Sequence, residues 1–251
     1  MTRKYATINY DEDAKCYLCG KYYINDKIYI NFPTVREVMF DIGEKKYWSI
    51  IYSLVATSSD LIAQLDDKGL DWEKVPDFDI FIMNFILLGE EYLSIVLPTI
   101  KPSKFILKEN PDNQEIILYD EEDGITIDRN IYECIADYIR FAHGIEKNVV
   151  RAANAYTHRD LIEDAHEQIR LNKLKSKSHK SQMKAYISYV INSLGYKIDD
   201  VLDMKINYFF DCVKRLNAIE TAKTMPFMMY YGMIDGSKRE NKNSLDPTRS
   251  L

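Results

Sequence analysis

Lys27-Ile28-Tyr29-Ile30-Asn31-Phe32-Pro33-Thr34-Val35-Arg36-Glu37 changes period halfway along. Its first half alternates, with Ile28, Ile30 and Phe32 on one face, as a half-buried strand requires. Pro33 ends that strand because it has no amide to give a ladder. Thr34 and Glu37 then stand at capping-box spacing, so a helix is expected at once, with Val35, Val38, Met39 and Ile42 recurring at helical intervals. A strand running straight into a helix predicts an α+β chain.

Outward from this stretch, Tyr22-Tyr23-Ile24 and the turn formers Asn25-Asp26 supply the first arm of an N-terminal β-hairpin. Tyr47 to Val55 continues the helical pattern, and Thr57 to Asp60 interrupts it and recaps. A short helix is expected to Lys68, stopped at Gly69. Phe78 to about Leu97 is apolar on nearly all sides, which suits the centre of a domain. Phe105-Ile106-Leu107 and Glu115 to Tyr119, separated by turn chemistry, predict a second hairpin near 105–119.

The rest reads as helix. Asp128 caps a segment with Ile131, Ile135, Tyr138, Ile139 and Ala142 inward; Ile145–Tyr156, Asp160–Leu174, Gln182–Leu194 (stopped by Gly195) and Lys205–Thr224 follow. The expected organisation is an α+β domain over 1–172, a basic linker over 173–181, a helical region over 182–236 and a polar tail over 237–251. The fold class is α+β, predominantly α-helical.

A length of 251 residues, 46% of them hydrophobic, with only 9 Gly and 7 Pro, is ample for a packed core. A net charge of -6 argues against a globally basic nucleic-acid binder. Met1 to Ala6 leads into polar residues, which predicts no signal peptide, and no apolar run reaches the length of a membrane span. The four cysteines are then expected as free thiols in a reducing cytoplasm.

Chemical motifs are few. Cys16-Tyr17-Leu18-Cys19 resembles half a zinc ribbon without its other half, since Cys134 and Cys212 lie alone on expected helices; free thiols on a strand are the alternative, and no metal is assigned. His158 and His166, more than two helical turns apart, do not form a metal-binding i, i+4 pair and read as surface histidines. His143 falls at a helix end, where the macrodipole favours its charged form. Glu121, Glu122, Asp123 and Asp128 lack calcium-loop spacing and read as a solvated turn. Nothing matches a phosphate-binding glycine loop or a nucleophile elbow, so no catalytic residue and no cofactor are expected.

Two stretches suit partners. Arg170, Lys173, Lys175, Lys177, Lys180 and Lys184 form a basic run without the aromatic platforms of a single-strand binder, which favours a solvated linker or an acidic protein surface over nucleic acid. Met225-Pro226-Phe227-Met228-Met229-Tyr230-Tyr231-Gly232-Met233 is dense in Met and aromatics. It either closes the core or offers an adaptable contact surface, and the expected division puts Phe227 in the core and Tyr230 or Tyr231 at the contact.

Ile28 to Glu37, Gly43-Glu44-Lys45-Lys46-Tyr47, and Gln64 to Trp72 resemble tail proteins of phages that infect Gram-positive bacteria. Tyr208-Phe209-Phe210-Asp211-Cys212-Val213-Lys214-Arg215-Leu216 and Gly232-Met233-Ile234-Asp235-Gly236 are similar to the ends of tail assembly chaperones and baseplate-hub assembly proteins. The resemblance leaves 101–128 unassigned. It implies a non-enzymatic protein without cofactor that binds the tape-measure chain, tube subunits or baseplate hub and keeps their apolar stretches from aggregating. It also implies host cytoplasm during assembly. The alternatives are a structural component retained in the virion tail, or a nucleic-acid-binding module using 170–184. Self-association stays open.

Overall fold

A computed structural model describes residues 8–110, 114–175, 181–238 and 243–247. The chain is predominantly helical with two small antiparallel sheets, in agreement with the α+β expectation.

Helix α1 spans Tyr10–Cys19 and leads into the hairpin of β1 (Lys21–Tyr23) and β2 (Tyr29–Asn31), in which Tyr22 faces Ile30. The alternation holds: Ile28, Ile30 and Phe32 are all buried. The first helix was not expected. Asn9 starts it by accepting the amides of Asp11 and Glu12, and so Cys16 and Cys19 lie on a helix instead of a turn or strand. The Thr34–Glu37 capping box forms as expected, but the turns it opens widen into a π-helix over Glu37–Ile42.

Helices α2 (Glu44–Val55), α3 (Ile62–Asp66) and α4 (Asp77–Val96) follow, with single 3₁₀ turns at Ser58–Asp60 and Trp72–Lys74. Phe81, Phe85 and Leu93 of α4 are buried, yet the helix is not central along its whole length. Gly89, at φ 70° and ψ 173°, breaks it, and just before the break Leu87 is 81% exposed. Only glycine takes that backbone conformation without strain.

The second hairpin is observed as β3 (Phe105–Glu109) and β4 (Ile116–Asp120), and β5 (Ile125–Ile127) adds a strand the sequence reading lacked. Leu118 faces Leu107 on one side and Ile127 on the other. The acidic turn between β4 and β5 is exposed, as expected, and also tied down. Asp120 is buried, and its Oδ1 accepts the amides of Glu122 (2.9 Å) and Asp123 (3.2 Å). Lys104 pairs with both of those acidic side chains, and Lys27 at the first hairpin donates to the carbonyls of Asp123 and Gly124.

Asp128 caps α5 (Arg129–His143), which buries Ile135, Tyr138, Ile139 and Ala142. The helix expected over Ile145–Tyr156 does not form. That stretch is extended because side chains of the Ser58–Asp60 and Trp72–Lys74 turns take up its polar groups: Thr57 donates to the carbonyl of Asn148, and the amides of Val150 and Ala152 go to Ser59 and Glu73. Helix α6 (Ala155–Lys175) takes in only the last two residues of that stretch. Helices α7 (Gln182–Leu194, stopped at Gly195 as expected), α8 (Ile198–Leu202) and α9 (Ile206–Tyr230) complete the chain.

The division at 173–181 is not a boundary in the packing. Lys173 and Lys175 belong to α6, and residues 176–180 lie outside the described residues. Tyr22, Ile30, Leu54, Phe85 and Ile139 from before the segment share one hydrophobic core with Met183, Phe209 and Val213 from after it. Backbone hydrogen bonds also cross it: Val35 N–H donates to Met204 O and Ile206 N–H to Pro33 O, each at 2.9 Å. A smaller cluster of Ile62, Leu65, Trp72 and Ile80 holds α6 through Leu161, Ile162 and Ala165. Of the expected polar tail, 239–242 and 248–251 lie outside the described residues.

Candidate functional site

The end of α9 departs most clearly from an ordinary globular surface. The helix buries Phe209, Phe210, Val213, Leu216 and Ala218, and none of its residues after Ala218 is fully buried. Residues 219–230 continue the helix for about 18 Å, at about 1.5 Å per residue, with half-buried and exposed positions mixed along it. Pro226 sits inside this extension and withdraws one amide, so the carbonyl of Ala222 lacks its usual helical partner.

The helix then stops in a hydrogen-bonded cap. Gly232, at φ 67°, lets its own N–H donate to Met229 O and the N–H of Met233 donate to Met228 O, the paired bonds of a Schellman motif. This cap fixes the position of Tyr231, whose ring packs on Phe227 one turn back at 4.4 Å between centroids and meets Tyr230 edge-on at 5.2 Å. Met229 lies against the chain at Gly236.

The expected division of these side chains is corrected here. Phe227 is 58% exposed and Tyr230 is 84% exposed, so both belong to the surface; Tyr231 and Met233 join them, while Met228 and Met229 are half-buried. The core is already closed by Phe209 to Leu216, which leaves nothing for Phe227 to cover. The result is a cluster of linked aromatic rings, exposed at the surface, with half-buried Met228 and Met229 in the same turns. Such a surface binds other apolar surfaces, with rings as anchors and unbranched thioethers adapting around them.

Of the basic run, Arg170 pairs with Glu167 at 2.8 Å, Lys173 is exposed on the last turns of α6, Lys184 lies in the first turn of α7, and Lys177 and Lys180 lie outside the described residues. The two motif cysteines separate: Cys16 is in the core with the side-chain amide of Asn207 3.5 Å from its sulfur, and Cys19 is exposed. Burial pushes the Cys16 thiol up to about 12, which keeps it protonated and a poor metal ligand. His143 is also corrected. It is buried, and desolvation draws it down to about 4 despite its place at the end of α5, so it is neutral where the macrodipole argument had it charged. His158 and His166 meet separate carboxylates, of Asp71 and Asp66, brought from far away in sequence.

Among the described residues no helix is long and apolar enough to cross a membrane. Comparison with protein-family models, with curated proteins and with solved structures returns no match.

Proposed function

We propose that this chain is a non-enzymatic phage tail assembly protein, which holds an apolar segment of a tail component, the tape-measure chain first, until tube subunits or the baseplate hub take it over. The observation that carries this reading is the end of α9, where Phe227, Tyr230, Tyr231 and Met233 are exposed at a capped helix terminus. An apolar cluster of this kind, outside a core that is already complete, suits a partner whose own apolar surface needs cover. The resemblance of the 28–37, 43–47, 64–72, 208–216 and 232–236 stretches to phage tail proteins supplies the partner class, and host cytoplasm is the compartment in which such a complex forms.

Co-expression with tape-measure and tube proteins, followed by capture of this chain, tests the proposal. Recovery of the tape-measure chain with the wild type, and its loss on Tyr230→Ala with Tyr231→Ala, is the expected result. Recovery of neither protein overturns the reading. Mass spectrometry of purified particles separates a transient assembly factor, which is absent, from a structural tail component, which is present in stoichiometric amount.

A further inference from the structure

Asp71 begins the Trp72–Lys74 turn, and its Oδ1 accepts the amide of Glu73 at 3.2 Å. The same oxygen is 3.3 Å from Nε2 of His158, on the first turn of α6. Glu73 points along the same turn, where its Oε1 accepts the amide of Ala152 at 2.8 Å. The ring of His158 lies nearly parallel to that of buried Trp72, 5.7 Å apart at 15°, which sets the direction of Nε2. One donor atom from each of Asp71, Glu73 and His158 lies within 4.8 Å of the other two.

We propose that Asp71, Glu73 and His158 bind a divalent transition-metal ion, with zinc as the type, and leave its remaining coordination positions open to water or a ligand.

Distance, donor chemistry and access support this assignment. Bonds of about 2.0–2.2 Å from zinc to nitrogen or oxygen place two tetrahedral ligands about 3.3–3.6 Å apart, so side-chain rotations that move these atoms by about 1 Å close this set. One imidazole with two carboxylates favours zinc, manganese or iron over calcium and magnesium, which prefer all-oxygen cages. Each ligand also has a support outside the ion: the Trp72 ring behind His158, the Ala152 amide on Glu73, and the Glu73 amide on Asp71.

The surroundings suit an open site. Glu73 is exposed and His158 and Asp71 are partly so, which gives an ion a path in. A polar cleft of about 530 Å³ runs from the same turn, lined by Trp72 and Glu73 themselves together with Ser58, Ser59, Asp77 and Lys147. An ion on the triad stands at the edge of this cleft. Three protein ligands beside a cavity are the pattern of a site that keeps a position for a further ligand. One group opposes the ion: Lys74 Nζ lies 2.8 Å from Asp71 Oδ2 and has to withdraw as the ion enters.

The full chain, stripped with a chelator and titrated with Zn²⁺ by calorimetry at neutral pH, tests the site. One saturable equivalent is expected, with Co²⁺ giving visible bands of a nitrogen–oxygen environment and Ca²⁺ giving no matching heat. His158→Asn and Glu73→Gln each weaken zinc by more than about tenfold, since even the loss of a ligand's supporting partner costs that much. Lys74→Met strengthens it by removing the competitor, the opposite of what a purely structural Lys74–Asp71 pair predicts for the stability of this turn. Exposed Glu73 carries the test if His158→Asn fails to fold. Absence of a saturable equivalent, or one that survives both His158→Asn and Glu73→Gln, overturns the assignment.

Discussion

The Tyr47 phenol and the His143 imidazole share a hydrogen bond of 2.7 Å inside the core. The other ring nitrogen, Nδ1, is 2.8 Å from the carbonyl oxygen of Ile139, which accepts only. Nδ1 therefore carries the hydrogen, and Nε2 accepts from the Tyr47 hydroxyl. A second proton on the ring makes Nε2 a donor, puts a charge into the core and turns the Tyr47 hydroxyl hydrogen away from its acceptor.

Stability is accordingly expected to fall on mild acidification. Above the unfolded histidine value of 6.5 both states are neutral at this position and nothing is lost. Below it the unfolded chain takes a proton that the folded chain refuses until about 4. The loss reaches about 3 kcal/mol across that window, at up to about 1.4 kcal/mol per pH unit. Urea unfolding at pH 7, 6, 5 and 4 measures the slope, and His143→Gln flattens it. An unchanged slope in that variant refutes the assignment.

Lys214 reaches from α9 to the last turn of α5, where its ammonium donates to the carbonyls of Phe141 and Ala142 and lies over the Phe141 ring. Lys214→Met leaves these helix-end acceptors unpaired and is expected to cost about 1–3 kcal/mol. Arg215→Met, next along the same helix but at the surface, should change stability by about 0.5 kcal/mol or less. Denaturant midpoints of the two variants provide the comparison.

Asp120 organises the turn between β4 and β5 through a single buried oxygen. Asp120→Ala strands two amides and should lower stability by about 1–3 kcal/mol, whereas Asp120→Asn keeps an acceptor in place and should cost less. Hydrogen exchange localises the effect: the amides of Glu122 and Asp123 lose protection in the alanine variant before the rest of the sheet does.

Single alanine substitutions at Phe227, Tyr230 and Tyr231 are expected to leave the melting temperature within about 2 °C of wild type, because little burial is lost. Partner capture should weaken by about tenfold or more for at least one of them. Phe209→Ala, inside the core on the same helix, should instead cost about 3–5 kcal/mol. Equal melting defects at all four positions refute the contact surface.

Where the sequence carried a local signal, the elements were legible. Asp128 before a periodic apolar run and Gly195 after one located the start of α5 and the end of α7, because caps act on neighbouring backbone groups. Ile145–Tyr156 misled for the opposite reason: its apolar residues suggested a helix, while its polar groups were claimed by Thr57, Ser59 and Glu73 from another part of the chain. Helix α1 was hidden because its weakly apolar face buries only Cys16. Phe227 looked like core since composition does not reveal where a helix runs out of neighbours. The Asp71, Glu73 and His158 set carried no signal at all, as its members meet across 87 residues between Asp71 and His158.

The short bridge between Thr34 and Lys205 joins positions about 170 residues apart. A ribosome adding roughly 5–20 residues per second needs on the order of 10–30 s to make the second partner after the first. During that interval α5 already packs on the N-terminal hairpin, with Phe32 against Tyr138 and His143, while the backbone groups of Pro33 and Val35 wait for Ile206 and Met204. The beginning of the chain is thus completed only when its last long helix emerges.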